Sequence, residues 1–271
     1  MTTTLEQVYT DIAIPIDFSA LGWRVLPLAE QLAGGFGVPI RLLHVDTSSP
    51  WSDDDPELLR LKTKPFRRPV QVEVVPDPDV ALGIARAITG GHSLVVMGTH
   101  ARTGAAEMLA ESSTEDVLRA VDGPVLLGGP RMENPRTPLK RIVCCLDLDT
   151  PPEGLLEDVR TWARHLGLPV ELLTVLPTGP NEPLDEMREQ ERRLALLADH
   201  MRGDGIDASA IVLRGSRPGR EIADYANDSP GTVIALATHA RTAPVRAVVG
   251  SVGMKVVRRA HGPVLLRRRD A

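Results

Sequence analysis

The chain repeats itself, and that duplication limits its possible folds more than any other feature. Val38-Pro39-Ile40-Arg41-Leu42-Leu43-His44-Val45 returns 130 residues later as Leu168-Pro169-Val170-Glu171-Leu172-Leu173-Thr174-Val175. The same spacing joins Ile12–Asp17 to Ile142–Asp147. Further along the spacing grows to 139. Thr99-His100-Ala101-Arg102-Thr103 recurs unchanged as Thr238-His239-Ala240-Arg241-Thr242, and Gly123-Pro124-Val125-Leu126-Leu127 as Gly262-Pro263-Val264-Leu265-Leu266. The extra residues of the second copy therefore fall between its second and third strands. Gly128-Gly129-Pro130 through Pro138 is rich in Gly and Pro, as a connection should be. The expected division is residues 1–128, a linker over 129–138, and 139–271.

Within each copy, short apolar runs alternate with helical patterns. In the first copy the runs Asp11–Ile16, Ile40–Val45, Val70–Val75, Leu94–Met97 and Val125–Leu127 suit strands buried on both faces of a parallel sheet. Thr150-Pro151-Pro152-Glu153 has the spacing of a capping box and predicts a helix over Glu153–Leu166. Ser112-Ser113-Thr114-Glu115 repeats that box ahead of Val117–Val121. Pro183–Met201 carries a long charged helical pattern. Its counterpart Asp53–Arg68 is shorter and interrupted by Pro56 and Pro65, so a reduced helix is expected there. Strand–helix alternation of this kind predicts two doubly wound α/β domains.

Composition narrows the function classes. With 31 Lys+Arg against 36 Asp+Glu, the 271-residue chain has a net charge of −5. Nucleic-acid and anionic-membrane binders usually concentrate a basic excess, so neither partner is expected. Three Trp, two Tyr and three Phe are too few for base-stacking platforms. No apolar run approaches the roughly 20 residues of a membrane span, and the N-terminus lacks a secretory pattern. The two cysteines, Cys144 and Cys145, are adjacent in an apolar run, which points to a reducing cytoplasm. One should face each side of a strand as a small hydrophobe.

Ligands of open α/β sheets sit beyond the carboxyl ends of the strands, where the strand order reverses. Asp17 and Asp147 end the first strand of each copy. Gly98 ends the fourth strand of the first, and Ser112 and Gly250-Ser251 stand where the following helices begin. A helix start exposes unpaired N–H groups and favours an anion by roughly 0.3–1 kcal/mol. An acid for ribose hydroxyls beside such a start makes a nucleotide cradle; the same acids also serve as turn caps.

The runs IAIPIDFS and VVMGTHARTG and the repeated GPVLL resemble the universal stress protein family in a tandem, two-domain form. The resemblance implies a five-stranded parallel sheet of order 3-2-1-4-5 in each half, flanked by helices. It implies a stress-response regulator, with pairing of the two halves or of two chains through the last strand, and ATP with Mg²⁺ as ligand in those members that keep the motif G-x2-G-x9-G-[ST]. Carried over by position, the motif places Asp17, Val45, Gly98, Ser112 and Ser113 in the first site. In the second it places Asp147, Val175, Gly250, Ser251 and Val252. Both copies of the motif are incomplete. Ala101 and Glu111 replace glycines in the first, and Ala237 and Ala240 in the second.

The defects differ in weight. A non-glycine residue forced to positive φ costs about 1–2 kcal/mol. A Glu111 carboxylate about 5 Å from a phosphate charge would be repelled by roughly 3 kcal/mol at an effective dielectric of about 20. Half of that is still about tenfold in affinity. The second domain is therefore the expected ATP site.

Other polar residues admit plainer readings. His100 and His239 lie in the duplicated loop with no nucleophile at a recognisable spacing, so no catalytic residue is assigned. Arg102 and Arg241 suit either a phosphate or a solvated or salt-bridged loop. Asp53-Asp54-Asp55 and Arg267-Arg268-Arg269 read as a solvated helix start and a solubilising end. A Walker lysine, HExxH, GxSxG and a paired His/Cys metal set are all missing. Three functions compete: a nucleotide-binding regulator, a degenerate member acting as a dimeric scaffold, and an enzyme such as an ATPase or phosphatase; the missing motifs weigh against the last, leaving at most slow incidental ATP hydrolysis.

Overall fold

Each half of the chain turns its apolar runs into five parallel strands. The computed structural model describes residues 8–17, 20–47, 68–88, 92–99, 114–149, 152–178, 184–238 and 251–268. The chain divides into two units, Met1–Gly128 and Gly129–Ala271.

The first unit runs β1 (Asp11–Pro15), α1 (Ala20–Arg24), α2 (Leu26–Phe36), β2 (Ile40–Asp46), β3 (Val70–Pro76), α3 (Val80–Ile88), β4 (Ser93–Gly98), α4 (114–120) and β5 (Val125–Gly128). Its strands lie in the order β3-β2-β1-β4-β5. Ile12 pairs with Ile40 on one side of β1 and with Leu94 on the other. Ile12, Ile40, Leu42 and Leu94 are wholly buried, as continuous Val/Ile/Leu runs require when both faces of a sheet are covered. A turn at Val25 separates α1 from α2, with Pro27 in the first turn of α2, where its missing N–H leaves no gap. The helix ends at Gly37 with φ 70°, a left-handed cap that glycine adopts without penalty. Gly167, its repeat partner, caps the corresponding helix of the second unit at φ 64°.

The second unit follows the same plan: β6 (Arg141–Cys145), α5 (Glu153–Leu166), β7 (Val170–Leu176), α6 (Leu184–Gly203), β8 (Ala208–Arg214), α7 (Pro218–Asn227), β9 (Thr232–Thr238), α8 (Ser251–Arg259) and β10 (Val264–Arg268). The order is β8-β7-β6-β9-β10, with β6 parallel to both β7 and β9. Each half therefore has the expected 3-2-1-4-5 sheet, and the order reverses between β1 and β4 and between β6 and β9.

Two local expectations are corrected. The N-cap of α5 is Pro152 rather than the expected Thr150, and it makes no side-chain cap bond. Its carbonyl accepts the first helical bond from Leu156 N at 3.1 Å, which makes Glu153 the first helical residue. Thr150 itself lies outside the described residues. Two residues of the basic tail are not solvated ends, and Arg269 lies outside the described residues. Arg267 and Arg268 continue β10, paired with Ala237 and Thr238, and the Arg267 Nη1 stands 3.3 Å from both Asp158 carboxylate oxygens. Residues 129–138, the expected linker, make contacts of their own. Met132 is buried, and Glu133 N donates to His261 O at 3.1 Å. The expected irregular helix over 53–68 lies outside the described residues apart from Arg68, and so does the Ser112-Ser113 box.

Candidate functional site

The carboxyl edge of β1 is tied down one residue before the acid. Ile16 N donates to Leu43 O at 2.8 Å, and Asp17 follows, exposed. The ring Nδ1 of His44 lies 3.2 Å from the Ile16 carbonyl; a carbonyl only accepts, so Nδ1 carries the proton. A methyl group at Gly22 of α1 would stand 3.0 Å from Asp17 Oδ1, so glycine makes room for that carboxylate. On the neighbouring strand Val45 is half-buried. A Cβ at Gly83 of α3 would come within 2.8 Å of Val45 Cγ1 and 3.1 Å of Asp77 Cβ. On the other side Gly98 closes β4, paired with Gly128. Asp17, Val45 and Gly98 thus share one edge of three adjacent strands. Ser112 and Ser113 lie outside the described residues, as do Ala101 and Glu111.

The second unit repeats this edge with different side chains. Leu146 N donates to Leu173 O at 2.8 Å, and the buried Thr174 hydroxyl donates to Leu146 O at 3.1 Å, replacing the histidine of the first unit. Asp147 is exposed and its Oδ1 accepts from Asp149 N at 3.2 Å, the turn-capping role that its sequence position also allowed. Val175 is half-buried at the end of β7. Ser251 opens α8, and its neighbour Val252 packs against α7: a Cβ at Gly219 would stand 3.0 Å from Val252 O. Ala237 lies within β9, paired with Arg267, so its strand geometry does not call for a glycine. Gly98 is likewise absent from the glycines of positive φ. The alanine at the first motif position of the second unit carries no backbone strain. Gly250 and Ala240 lie outside the described residues, with His100, His239, Arg102, Arg241 and Asp53–Asp55.

Two charged residues at this edge escaped the sequence reading. Arg193, in the middle of α6, donates through Nη2 to the carbonyl of Leu148, beside Asp147. Glu221, in the first turn of α7, lies over Gly215: a Cβ there would meet the Glu221 carboxyl group at 2.6 Å. The mirror arrangement appears in the first unit, where Asp77 ends the strand and Gly83 sits on the helix. Reciprocal exchange of a glycine and an acid gives no signal in either copy alone; only the paired alignment of both copies could have found it.

The Universal stress protein family pattern matches residues 9–127 and again 138–268, nearly the whole chain. The chain belongs to the universal stress protein family. Among solved structures, a universal stress protein from Archaeoglobus fulgidus DSM 4304 is similar over 96% of each chain, at 18% identity and a TM-score of 0.72. A functionally unknown protein, PA1789, from Pseudomonas aeruginosa PAO1 is similar over 97% of this chain and 94% of its own, at 17% identity and a TM-score of 0.64. These likenesses concern the fold. No curated protein matches the chain.

Within this universal stress protein fold, the described residues include no group of three or more His, Cys, Asp or Glu that could hold a metal ion. No described helix is long and apolar enough to cross a membrane. What the carboxyl edge of the second unit offers is an exposed carboxylate, a half-buried valine and a helix N-terminus, a set suited to binding a polar ligand.

Proposed function

We propose that the chain is a stress-response regulator that binds ATP with Mg²⁺ in the crevice between the first and fourth strands of its second domain. The observation that carries this reading is Asp147, an exposed carboxylate two residues past β6 at the point where the strand order reverses. There it accepts ribose hydroxyls, while Val175 lies against the base. The N-terminus of α8, with Gly250, Ser251 and Val252, receives the phosphates, where the helix dipole favours an anion by about 0.3–1 kcal/mol. The strand geometry of Ala237 supports the second domain, since the substitution there costs no backbone strain. In the first domain Asp17, Val45, Gly98, Ser112 and Ser113 form the weaker site. The role is binding rather than catalysis, and it is exercised in the cytoplasm, where occupancy biases association with a protein partner or a second copy of the chain.

Calorimetry of the purified chain with ATP and Mg²⁺ tests the reading. Saturable heat at submillimolar ligand, reduced by Asp147→Ala, is expected. No heat at millimolar ATP would overturn it in favour of a scaffold that works without nucleotide.

A further inference from the structure

We propose that Arg193 is a positioning residue for this site, holding the β6–α5 turn so that Asp147 presents its carboxylate to a ribose. The proposal rests on the ATP reading and extends it to an element outside the family motif.

The helix that carries Arg193 is firmly seated. Met187, Leu194, Ala198 and Met201 of α6 are all buried, so the backbone at residue 193 is fixed by packing on both sides. From there the guanidinium reaches the Leu148 carbonyl. The Leu148 side chain is buried at 3% exposure, which pins the turn from below, while Arg193 pins its main chain from the side. Asp147 and Asp149, flanking Leu148, remain exposed, and Asp149 N holds the Asp147 Oδ1 at 3.2 Å. The turn is thus constrained on two sides with its acid facing outward.

The charge of Arg193 is also notable. Among the described residues it forms no ion pair, in contrast to Arg214 with Glu191 or Arg267 with Asp158. Its bond among the described residues goes to a neutral carbonyl. The guanidinium thus serves the main chain of the turn rather than a carboxylate. A free carboxylate must give up rotational freedom to hold a hydroxyl, so a turn fixed beforehand binds more tightly than a loose one.

Two measurements separate this role from simple stapling of the fold. The first compares ATP with 2′,3′-dideoxyATP, which has no ribose hydroxyl for Asp147, in the full chain. We expect the wild type to prefer ATP by about tenfold, the worth of a hydrogen bond to a charged group. In Arg193→Ala that preference should fall to about twofold or less, with dideoxyATP binding unchanged, and Arg193→Lys should restore it, because one N–H suffices for one carbonyl. Equal loss for both nucleotides, or no loss, overturns the proposal. The second is amide exchange at Asp149 in the ligand-free protein, where Arg193→Ala should speed exchange about tenfold if the turn opens by the worth of one hydrogen bond. Unchanged exchange overturns the clamp whatever the nucleotide result. A wild type that binds no ATP overturns the function proposed above, and with it the ligand role of Arg193, while the exchange experiment still reads the clamp.

Discussion

Arg141 and Glu171 meet across β6 and β7 with both carboxylate oxygens within 2.9 Å of Nη1, and the first unit makes the same contact with the charges exchanged. There Asp11 occupies the place of Arg141 and Arg41 that of Glu171, 3.1 Å apart. The surrounding bonds have been kept through the exchange. Arg41 reaches Ser93 Oγ and the Ala87 carbonyl, and Arg141 reaches Thr232 Oγ1 and the Tyr225 carbonyl. The second unit adds a bond from the Tyr225 hydroxyl to Glu171 at 3.0 Å. In the first, Asp11 Oδ1 and Arg41 Nε are buried without a hydrogen-bond partner. Glu171→Ala should therefore cost about 2–3 kcal/mol in urea denaturation, because it strands a half-buried guanidinium and a phenol. Asp11→Ala should cost less, about 1 kcal/mol, since its pair is already incompletely satisfied. Arg141→Asp combined with Glu171→Arg copies the Asp11–Arg41 pair but not the Glu73 carboxylate that also holds Arg41 at 2.8 Å, so it should recover only part of the Glu171→Ala loss.

The two thiols make stability fall in alkali. Burial pushes the Cys144 thiol from its ordinary 9.0 up to about 12, with Arg160 opposing, and burial followed by the neighbouring Cys144 raises Cys145. Above pH 9 the unfolded chain releases a proton that the folded chain keeps, so the folded state binds more protons and loses stability as pH rises. The loss from Cys144 alone builds between pH 9 and 12 toward about 4 kcal/mol, at about 1.4 kcal/mol per tenfold. Urea midpoints measured from pH 7 to 11 should decline less steeply in Cys144→Ala than in the wild type. In the native protein neither thiol should react with a thiol reagent at neutral pH, and both should react on unfolding.

Identical sequence motifs make different demands in the two halves. Gly123 and Gly262 open the repeated GPVLL. A Cβ at Gly262 would lie 2.2 Å from the Thr232 carbonyl oxygen, whereas at Gly123 it would lie 3.7 Å from that of Ser93, an ordinary contact. Gly262→Ala should lower stability by about 1–3 kcal/mol, as forced overpacking does. Gly123→Ala should change it by less than about 0.5 kcal/mol. Thermal unfolding of the two variants reads the difference.

The two ribose-side acids should differ in ATP binding. Asp147→Ala is expected to weaken ATP by about tenfold, the loss of a charged hydrogen-bond acceptor. Asp17→Ala should leave the strongest binding step unaltered, because the site proposed for ATP is the second. Calorimetric titration of both variants checks this, and equal effects would move the site to both halves.

Strand identity was open to reading because buried parallel strands leave unbroken Val/Ile/Leu runs that recur in the second copy, whereas the strand order followed from the resemblance to the universal stress protein family. The predicted helix Glu153–Leu166 matches α5 because its period and its glycine stop at Gly167 are local signals. Its N-cap differs from the expected Thr150 by two residues: Pro152 holds that place, and the helix begins at Glu153 as expected. Likewise the tail arginines looked solvated because charge alone does not report that β10 continues through them. At the proposed site, Asp147 and Ser251 could be named from their places at a strand end and a helix start, and Val175 from the resemblance to the family. Arg193 could not, since it reaches the Leu148 carbonyl across 45 residues of chain, and such a contact leaves no local pattern.

The segment 129–138 carries one more consequence. Gly129 lies so close to the Val257 carbonyl that a Cβ would stand 2.2 Å away, Glu133 Oε1 meets His261 Nδ1 at 3.1 Å, and Gly231 takes φ 92° where a Cβ would crowd the Pro138 carbonyl. These ten residues behave as a flap sewn onto the downstream copy. Excising the C-terminal half as an independent protein therefore calls for a cut ahead of Gly129; a start at residue 139 would strip away the cover of Val257 and the partner of His261.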